Sequence, residues 1–499
     1  MPAESVFQSR KLRDIYDEIQ SVYLSDNRPW ILGFSGGKDS TCMVQLVWSA
    51  ISELPEEQRQ KKIFIISSDT LVESPKIVNQ ITTTLDKMEK ASRQAGLPIS
   101  TNLVRPVVKD TFWVCLLGKG FPAPTNMFRW CTDRLKIRNA DRFIKEKVSE
   151  YGEAVVVLGT RKDESGSRAQ LMNLYEIKGS LLSRHSKFAQ TYVYTPLRDF
   201  ITEDVWNYLL QNKNPWGANN RDLLALYQNA NSSECPLVVD SSTPSCGNSR
   251  FGCWVCTVVA EDISLKNMIE NGEDWMEPLL EFREELKQSQ DPLKRREIRE
   301  FKRRTGQMKL VDDRMKKGVI ENAADSFDVD PEEIDKNDPY SLLVPGPYTM
   351  DYCKKLLTEL LKSQKKVQKN GPDPNMELIR EEELHEIQRI WRMERGDWKN
   401  SVYEIYDKVM GEKLLMPQED LGGFGVVEQT ILEEICQKNN LPALLVSKLL
   451  NEEFDSQGMT KHSQIYPKLN KILGEEWRDN IDEIISDLKE QRKNKEDFG

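Results

Sequence analysis

Residues 33–40 read Gly33-Phe34-Ser35-Gly36-Gly37-Lys38-Asp39-Ser40 and follow directly on an apolar run, Trp30-Ile31-Leu32. A strand that ends in such a loop offers one chemistry above others, the binding of a nucleotide triphosphate. Gly36 and Gly37 let the backbone approach an anion and turn its N–H groups toward it. Ser40 is placed to cap a helix over Thr41 to Ala50, and the N-terminus of that helix favours negative charge. A Walker loop would need a glycine five residues before its second one, and Ser or Thr after its lysine. Leu32 and Asp39 occupy those places, so that reading fails.

Two other strand-like runs deliver polar groups. Ile63 to Ser67 leads into Ser68-Asp69-Thr70, where Asp69 could help hold Mg²⁺ on phosphates or cap a turn. Val155-Val156-Val157 leads into Gly159-Thr160-Arg161, with Arg168 seven residues on. The planar forks of Arg161 and Arg168 suit phosphate or sulfate, and the acids between them equally allow surface ion pairs.

Nine cysteines in a large chain are metal ligands, reactive thiols or buried small groups rather than a disulfide framework. Four of them, Cys235, Cys246, Cys253 and Cys256, fall within 22 positions, the last two as Cys-x-x-Cys. That pair can chelate one metal, and a complete site needs two more ligands. Cys246 is the natural third, and Cys131, expected to open a helix in the sheet domain, is the fourth, with Cys235 in reserve. Zinc and a 4Fe-4S cluster both accept four thiolates, and a redox-active pair is a further option. Cys42, Cys115, Cys353 and Cys436 sit among apolar residues and read as buried thiols. With His185, His385 and His462 alone, a histidine mechanism has little to build on.

The elements that must carry these residues alternate. Strand patterns at Trp30 to Phe34, Ile63 to Ser67, Asn102 to Pro106, Val155 to Gly159 and Thr191 to Thr195 are separated by helical stretches, which predicts an α/β fold, a parallel sheet with flanking helices. Ligands of such sheets sit at the C-terminal strand ends, where the glycine loop, Asp69 and Gly159 to Arg161 all fall. After about residue 260 charged helical patterns dominate, interrupted by an acidic stretch at Phe327 to Pro347. Tyr352 to Leu361 and Leu378 to Trp391 space apolar residues for a core face, and Lys489 to Gly499 is expected to fray. The domains expected are 1–230, 231–325 and 326–499, a mostly helical C-terminal half following the sheet.

In order, these blocks are similar to the phosphoadenosine phosphosulfate reductase superfamily: Ser35 to Ser40, a loop like the pyrophosphate loop of enzymes that split ATP into AMP and pyrophosphate; Cys131-Thr132-Asp133-Arg134-Leu135-Lys136; Gly159 to Arg168; and Thr195-Pro196-Leu197-Arg198-Asp199 with Glu203-Asp204-Val205-Trp206. The continuation, with Cys246-Gly247, Arg250 to Thr257, Gly346-Pro347-Tyr348-Thr349 and Ile387 to Trp391, resembles the DndC-type sulfurtransferases of DNA phosphorothioation. The resemblance implies an adenine nucleotide alpha hydrolase-like fold and an ATP pyrophosphatase carrying a 4Fe-4S cluster on Cys131, Cys246, Cys253 and Cys256. It implies a cysteine desulfurase and companion phosphorothioation proteins as partners, and DNA as substrate. Gly36, Gly37 and Lys38 would then hold pyrophosphate, Asp39 and Asp69 would support Mg²⁺, and Arg161 and Arg168 would hold the acceptor phosphate or AMP.

The bulk of the chain sets limits. A net charge of −10 over 499 residues opposes nucleic-acid binding through the overall field, so companions are expected to supply much of any DNA affinity. A local contact is expected at Lys294 to Lys317, with eleven Lys and Arg against four Asp and Glu. No stretch approaches the roughly 20 apolar residues that span a bilayer, and Met1 to Arg13 lacks the apolar core of a secretory signal, so a cytoplasmic protein without membrane contact is expected. Sulfonucleotide reductases resembling the first half carry a reactive cysteine near their C-terminus, whereas the last cysteine here is Cys436. A reductase, a tRNA thiolase and a non-catalytic nucleotide-binding scaffold are the alternatives.

Overall fold

The computed structural model describes residues 4–230, 252–311, 339–417, 424–456 and 465–497. Cys235, Cys246 and residues 312–338, which include the end of the basic segment, lie outside the described residues. The chain divides into two units that interleave in sequence: Met1–Pro106, Thr132–Trp254 and Glu261–Asp274 in one, Val107–Cys131, Val255–Ala260 and Trp275–Gly499 in the other.

The first unit holds strands β1 (Trp30–Gly33), β2 (Ile63–Ser68), β3 (Ile99–Val104), β4 (Ala154–Val157), β5 (Leu182–Arg184) and β6 (Thr191–Tyr194), ordered β3-β2-β1-β4-β6-β5. Neighbours are parallel except β5, which runs antiparallel to β6. Its helices are α1 (Leu12–Leu24), α2 (Lys38–Ser52), α3 (Pro75–Gln94), α4 (Arg138–Tyr151), α5 (Gly166–Leu174), α6 (Thr202–Gln211), α7 (Asn220–Ala230) and α8 (Ile263–Glu270). Successive residues of a strand point to opposite faces, and the burial follows that period. Trp30, Leu32, Ile63, Ile65, Val155 and Val157 enter a core with Ile19, Val47 and Leu209, whereas Ile31, Ile66, Ala154 and Val156 enter a second one with Phe143 and Ile144. Both faces are therefore covered, as the continuous apolar strands require.

Three boundaries differ from expectation. The third strand begins at Ile99, because Ile99 pairs with Ile63 and the polar Ser100-Thr101-Asn102 lies within the ladder. The short β5 carries one apolar residue and gives no pattern to read. The helix after the glycine loop starts at Lys38 rather than Thr41.

The second unit is helical: α9 (Glu277–Gln288), α10 (Pro292–Ile298), α11 (Met350–Asn370), α12 (Glu381–Arg395), α13 (Ser401–Met410), α14 (Val426–Lys438), α15 (Ala443–Ser456), α16 (Ile465–Leu473) and α17 (Ile481–Asp497). Leu356, Leu357, Leu360, Leu361, Leu384, Ile387 and Trp391 are buried, the core faces expected of α11 and α12. The run Phe112 to Leu117 is buried with them, and Trp113 Nε1 donates to the Leu378 carbonyl at 2.6 Å while Trp391 Nε1 donates to that of Leu117 at 2.8 Å. Burial of this run draws Val107–Cys131 out of the sheet unit, so Cys131 groups with the helical unit instead. Helix α17 runs to Asp497, and Ile484 and Ile485 near its start pack with Met308 and Leu343.

Candidate nucleotide site

β1 and β4 are neighbours, and the chain leaves them in opposite directions along the sheet, to β2 and to β6. Their C-terminal ends thus form a topological switch point, the place where open α/β sheets bind ligands. The last ladder bond of β1 runs from the Phe34 N–H to Ile66 O at 2.8 Å, and the chain then turns through Gly36 at φ +75°, a conformation that glycine adopts at little cost. Gly37 is the N-cap of α2 with no side-chain cap. Ser40 turns its hydroxyl back into the loop instead, donating to Gly37 O at 3.0 Å and accepting the Ser35 N–H at 3.2 Å. The cap expected of Ser40 is thus a brace on the loop, because the helix has already begun two residues before it.

Gly159, at the end of β4, serves close approach. A Cβ there would lie 2.7 Å from Asp39 O and 3.2 Å from Ser40 N, so only glycine lets β4 abut the first turn of α2. Arg161 then reaches across that contact. Its Nε donates to Asp39 Oδ1 at 2.7 Å, and Nη1 and Nη2 donate to Phe200 O at 3.4 Å and Thr202 Oγ1 at 3.2 Å, with Asp163 at 3.3 Å. The residue is 2% exposed. Its guanidinium is engaged by these protein partners, Asp39 among them. Lys38 Nζ lies 3.2 Å from Asp39 Oδ2, so the carboxylate stands between two cations while its side chain stays 24% exposed. Arg168 lies on α5, not on a loop, with its N–H on Ser165 Oγ and its side chain paired at 3.2 Å to Glu164, half in solvent.

The end of β2 is built differently. Asp69 Oδ1 accepts the Leu71 N–H and Oδ2 accepts Arg105 Nε, both at 2.9 Å, and Leu71 takes φ +65° in the turn. The turn-capping alternative is what this geometry favours, since both oxygens are engaged and the side chain is buried. Beside it Cys253 pairs with Glu73 in an isolated bridge, its Sγ 3.3 Å from Thr70 Oγ1, and the Trp254 N–H donates to Val72 O at 3.0 Å. Burial pushes the Glu73 carboxyl up, opposed by Lys136 at 3.6 Å and reinforced by Asp69. Cys42, fully buried in α2, is raised well above an ordinary thiol by burial and then by the charge of Asp39. Cys42, Cys115, Cys353 and Cys436 are all buried, as expected of structural thiols.

In the second unit, the buried Arg283 of α9 donates to the carbonyls of Cys256, Val259 and Ala260 at 3.0, 2.6 and 3.0 Å, fixing the backbone around Cys256. Cys131 and Cys256 are half-buried, as is Cys253 in the first unit. Among the described residues, no three His, Cys, Asp or Glu side chains are grouped as a metal site. The basic segment is partly internal: Arg299 Nε donates to Gly346 O at 2.6 Å, Arg296 lies 4.1 Å over the Tyr340 ring, and Arg304 pairs with Glu394. A cavity of about 110 Å³ there is lined by Lys119, Arg299, Arg303 and Arg304 with Phe121 and Phe128, and no acid among the described residues lines it.

Residues missed by the sequence reading are Thr202 and Phe200, which hold Arg161, and Tyr227, which touches the glycine loop. The Thr195 to Trp206 block signalled the first two by its position, and nothing local signalled Tyr227.

Residues 29–259 match the phosphoadenosine phosphosulfate reductase domain family. An uncharacterized protein of Methanocaldococcus jannaschii is 25% identical over 238 residues, which are 48% of this chain and 38% of that one, so the chain spans well under half of that relative's length. Among solved structures, the chain is similar to the phosphoadenylyl-sulfate reductase from Candida auris in its phosphate complex, at 15% identity and a TM-score of 0.27 over 44% of this chain and 88% of that one. It is also similar to the U34-tRNA thiolase from Methanococcus maripaludis with its 4Fe-4S cluster, at 16% identity and a TM-score of 0.27 over 56% of this chain and 78% of that one.

Proposed function

We propose that this chain, whose residues 29–259 form a phosphoadenosine phosphosulfate reductase-family domain, is an ATP pyrophosphatase that activates a phosphate oxygen for replacement by sulfur. The observation that carries the reading is the glycine loop at the switch point, with Lys38 beside it and Asp39 fixed by a buried arginine. An oxygen of the acceptor attacks the α-phosphorus of ATP, the bond to pyrophosphate breaks, and the acceptor becomes linked to AMP. A sulfide-level nucleophile then attacks the acceptor phosphorus, and AMP departs with the original oxygen. The Gly36 and Gly37 amides and Lys38 stabilise the charge that develops on pyrophosphate.

Asp39, whose carboxylate lies between Arg161 and Lys38 yet stays partly open to solvent, would serve as a Mg²⁺ ligand, and the ion when bound would neutralise phosphate charge; Asp69, buried in its own turn, fits less well. Thiolates of Cys131, Cys246, Cys253 and Cys256 would hold a 4Fe-4S cluster, or zinc, which when bound supplies a thiophilic centre. The acceptor in this reading is a DNA backbone phosphate, with a cysteine desulfurase as sulfur source and companion proteins sharing the DNA. The cavity lined by Lys119, Arg299, Arg303 and Arg304 supports a polyanion, and the resemblance of the Arg250 to Thr257 and Gly346 to Thr349 blocks to the phosphorothioation sulfurtransferases supports DNA. A sulfonucleotide reductase is the second reading, favoured by the family matched over residues 29–259.

The test is to purify the full chain without oxygen, supply ATP and Mg²⁺ with and without duplex DNA, and separate the products. AMP with stoichiometric pyrophosphate, lost in Lys38→Ala, is the expected result. Untouched ATP with sulfite released from a sulfonucleotide would replace this reading with the reductase.

A further inference from the structure

The main-chain N–H of Lys38 is the first donor of α2, and a donor at a helix start beside a glycine loop is placed to meet a phosphate oxygen. In this structure it donates to the hydroxyl of Tyr227, on α7, at 3.1 Å. The same hydroxyl lies 3.1 Å from the point that a Cβ on Gly37 would occupy, and the Lys38 ammonium sits 5.5 Å from the Tyr227 ring centroid, within cation–π range. The two groups that would meet an anion, an N–H at a helix start and an ammonium, therefore both face one side chain. That side chain is braced: its ring meets Trp206 edge-on, 5.3 Å between centroids at 84°, and Trp206 is 1% exposed.

We propose that Tyr227 is the phosphate-sensing residue of the loop, its phenol oxygen standing where a phosphate oxygen of the nucleotide must come. This rests on the reading of residues 35–40 as a pyrophosphate site. An oxygen accepting the Lys38 N–H has to lie about 2.9 Å from the nitrogen, in space that the phenol oxygen fills, so the two exclude each other. When pyrophosphate or ATP binds, the N–H passes from phenol to phosphate and the Tyr227 ring leaves the ammonium. Without phosphate, the phenol satisfies a donor whose neighbour Gly36 is held at φ +75°, and so keeps the loop in its binding conformation. Because Tyr227 belongs to α7, the exchange makes the position of that helix depend on what the loop holds. Tyr227 is a positioning residue rather than a catalytic one.

The test is calorimetric binding of magnesium pyrophosphate and of magnesium ATP to the full-length protein and to Tyr227→Phe, which keeps the ring on Trp206 and removes the hydroxyl. The expected result is pyrophosphate binding about five-fold tighter in the variant, the factor of one net hydrogen bond no longer displaced. Equal affinity would overturn the proposal, and weaker binding would do so by making the hydroxyl a ligand of the phosphate instead of its competitor. In both cases normal binding by the wild type would leave the loop reading standing. Failure of the wild type and the variant alike to bind either ligand would remove the loop reading and this proposal together. Independently of the variant, 3-fluorotyrosine placed at position 227 is expected to shift its fluorine resonance on addition of pyrophosphate. An unmoved resonance under saturating pyrophosphate would overturn the proposal.

Discussion

Two strands of one sheet each deliver an aspartate near their C-terminal end, and the two acids are put to different uses. After β1, Asp39 is set between Arg161 and Lys38 and keeps about a quarter of its side chain open to solvent. After β2, Asp69 has one oxygen on the Leu71 N–H and the other on Arg105, and is buried by its own turn. Residue type is the same and does not decide the role; Asp69 directly follows its strand, whereas Asp39 lies past the glycine loop in the first turn of α2. What decides it is whether the backbone turn consumes the carboxylate. At β1 the glycine loop and the helix start take no side-chain oxygen from Asp39, whereas at β2 a residue at positive φ needs the cap that Asp69 provides.

Asp39→Asn puts this contrast to its strongest test. ATP cleavage is expected to fall roughly 100-fold or more, as for loss of a preorganised charge at a reacting phosphate, and the urea midpoint to fall as well, because the buried Arg161 loses the charge of its Asp39 partner. The contrast breaks if Asp69→Asn lowers the rate equally. Gly159→Ala comes next, because its Cβ would meet the Asp39 carbonyl at 2.7 Å. Overpacking there is expected to cost about 1–3 kcal/mol in urea unfolding and to lower activity by moving Asp39; full activity in that variant would show that the abutment of β4 on α2 does not set the carboxylate. Asp69→Asn itself is expected to cost about 1 kcal/mol while the rate stays within a few-fold.

Glu383 sharpens the comparison with an acid remote from any proposed chemistry. It is 1% exposed at the start of α12 and accepts the Arg380 N–H at 3.0 Å; burial pushes its carboxyl up. A raised folded-state value means that stability is complete below the ordinary glutamate range, near pH 4.3, and declines as pH rises and the buried group must ionise. Glu383→Gln is therefore expected to melt with wild type at pH 4 and above it at pH 7. A lower melting point at pH 7 would mean that the ionised carboxylate stabilises its helix start.

What the sequence disclosed follows the range of the forces involved. The loop at Ser35 to Ser40 was legible because glycine freedom and helix-terminal polarity act within a few residues; β1, β2 and β4 were legible because their apolar runs are buried on both faces, and β6 by its β-branched and aromatic residues. The start of β3 was not, since Ile99 to Asn102 is fixed by its pairing with β2 rather than by its own mixed composition. Nor was the departure of Val107–Cys131 from the sheet, which turns on where Trp113 and Leu117 find partners more than 260 residues away. Arg161 was picked out as an anion ligand from its fork geometry, and its engagement depends on Asp39 and Thr202, 122 and 41 positions distant. Tyr227 is 189 positions from Lys38 and carried no mark of its own.

The contact of Cys253 with Thr70 closes a span of 183 residues. For an unstructured chain, bringing ends so far apart together costs roughly 5 kcal/mol in entropy, more than one thiol–hydroxyl contact and a pair of bridge bonds return. The closure becomes favourable only once β1 to β6 and their helices have shortened the span. The sheet is thus expected to form before Cys253 reaches the end of β2, and a chain cut before residue 253 would keep that strand end without this thiol.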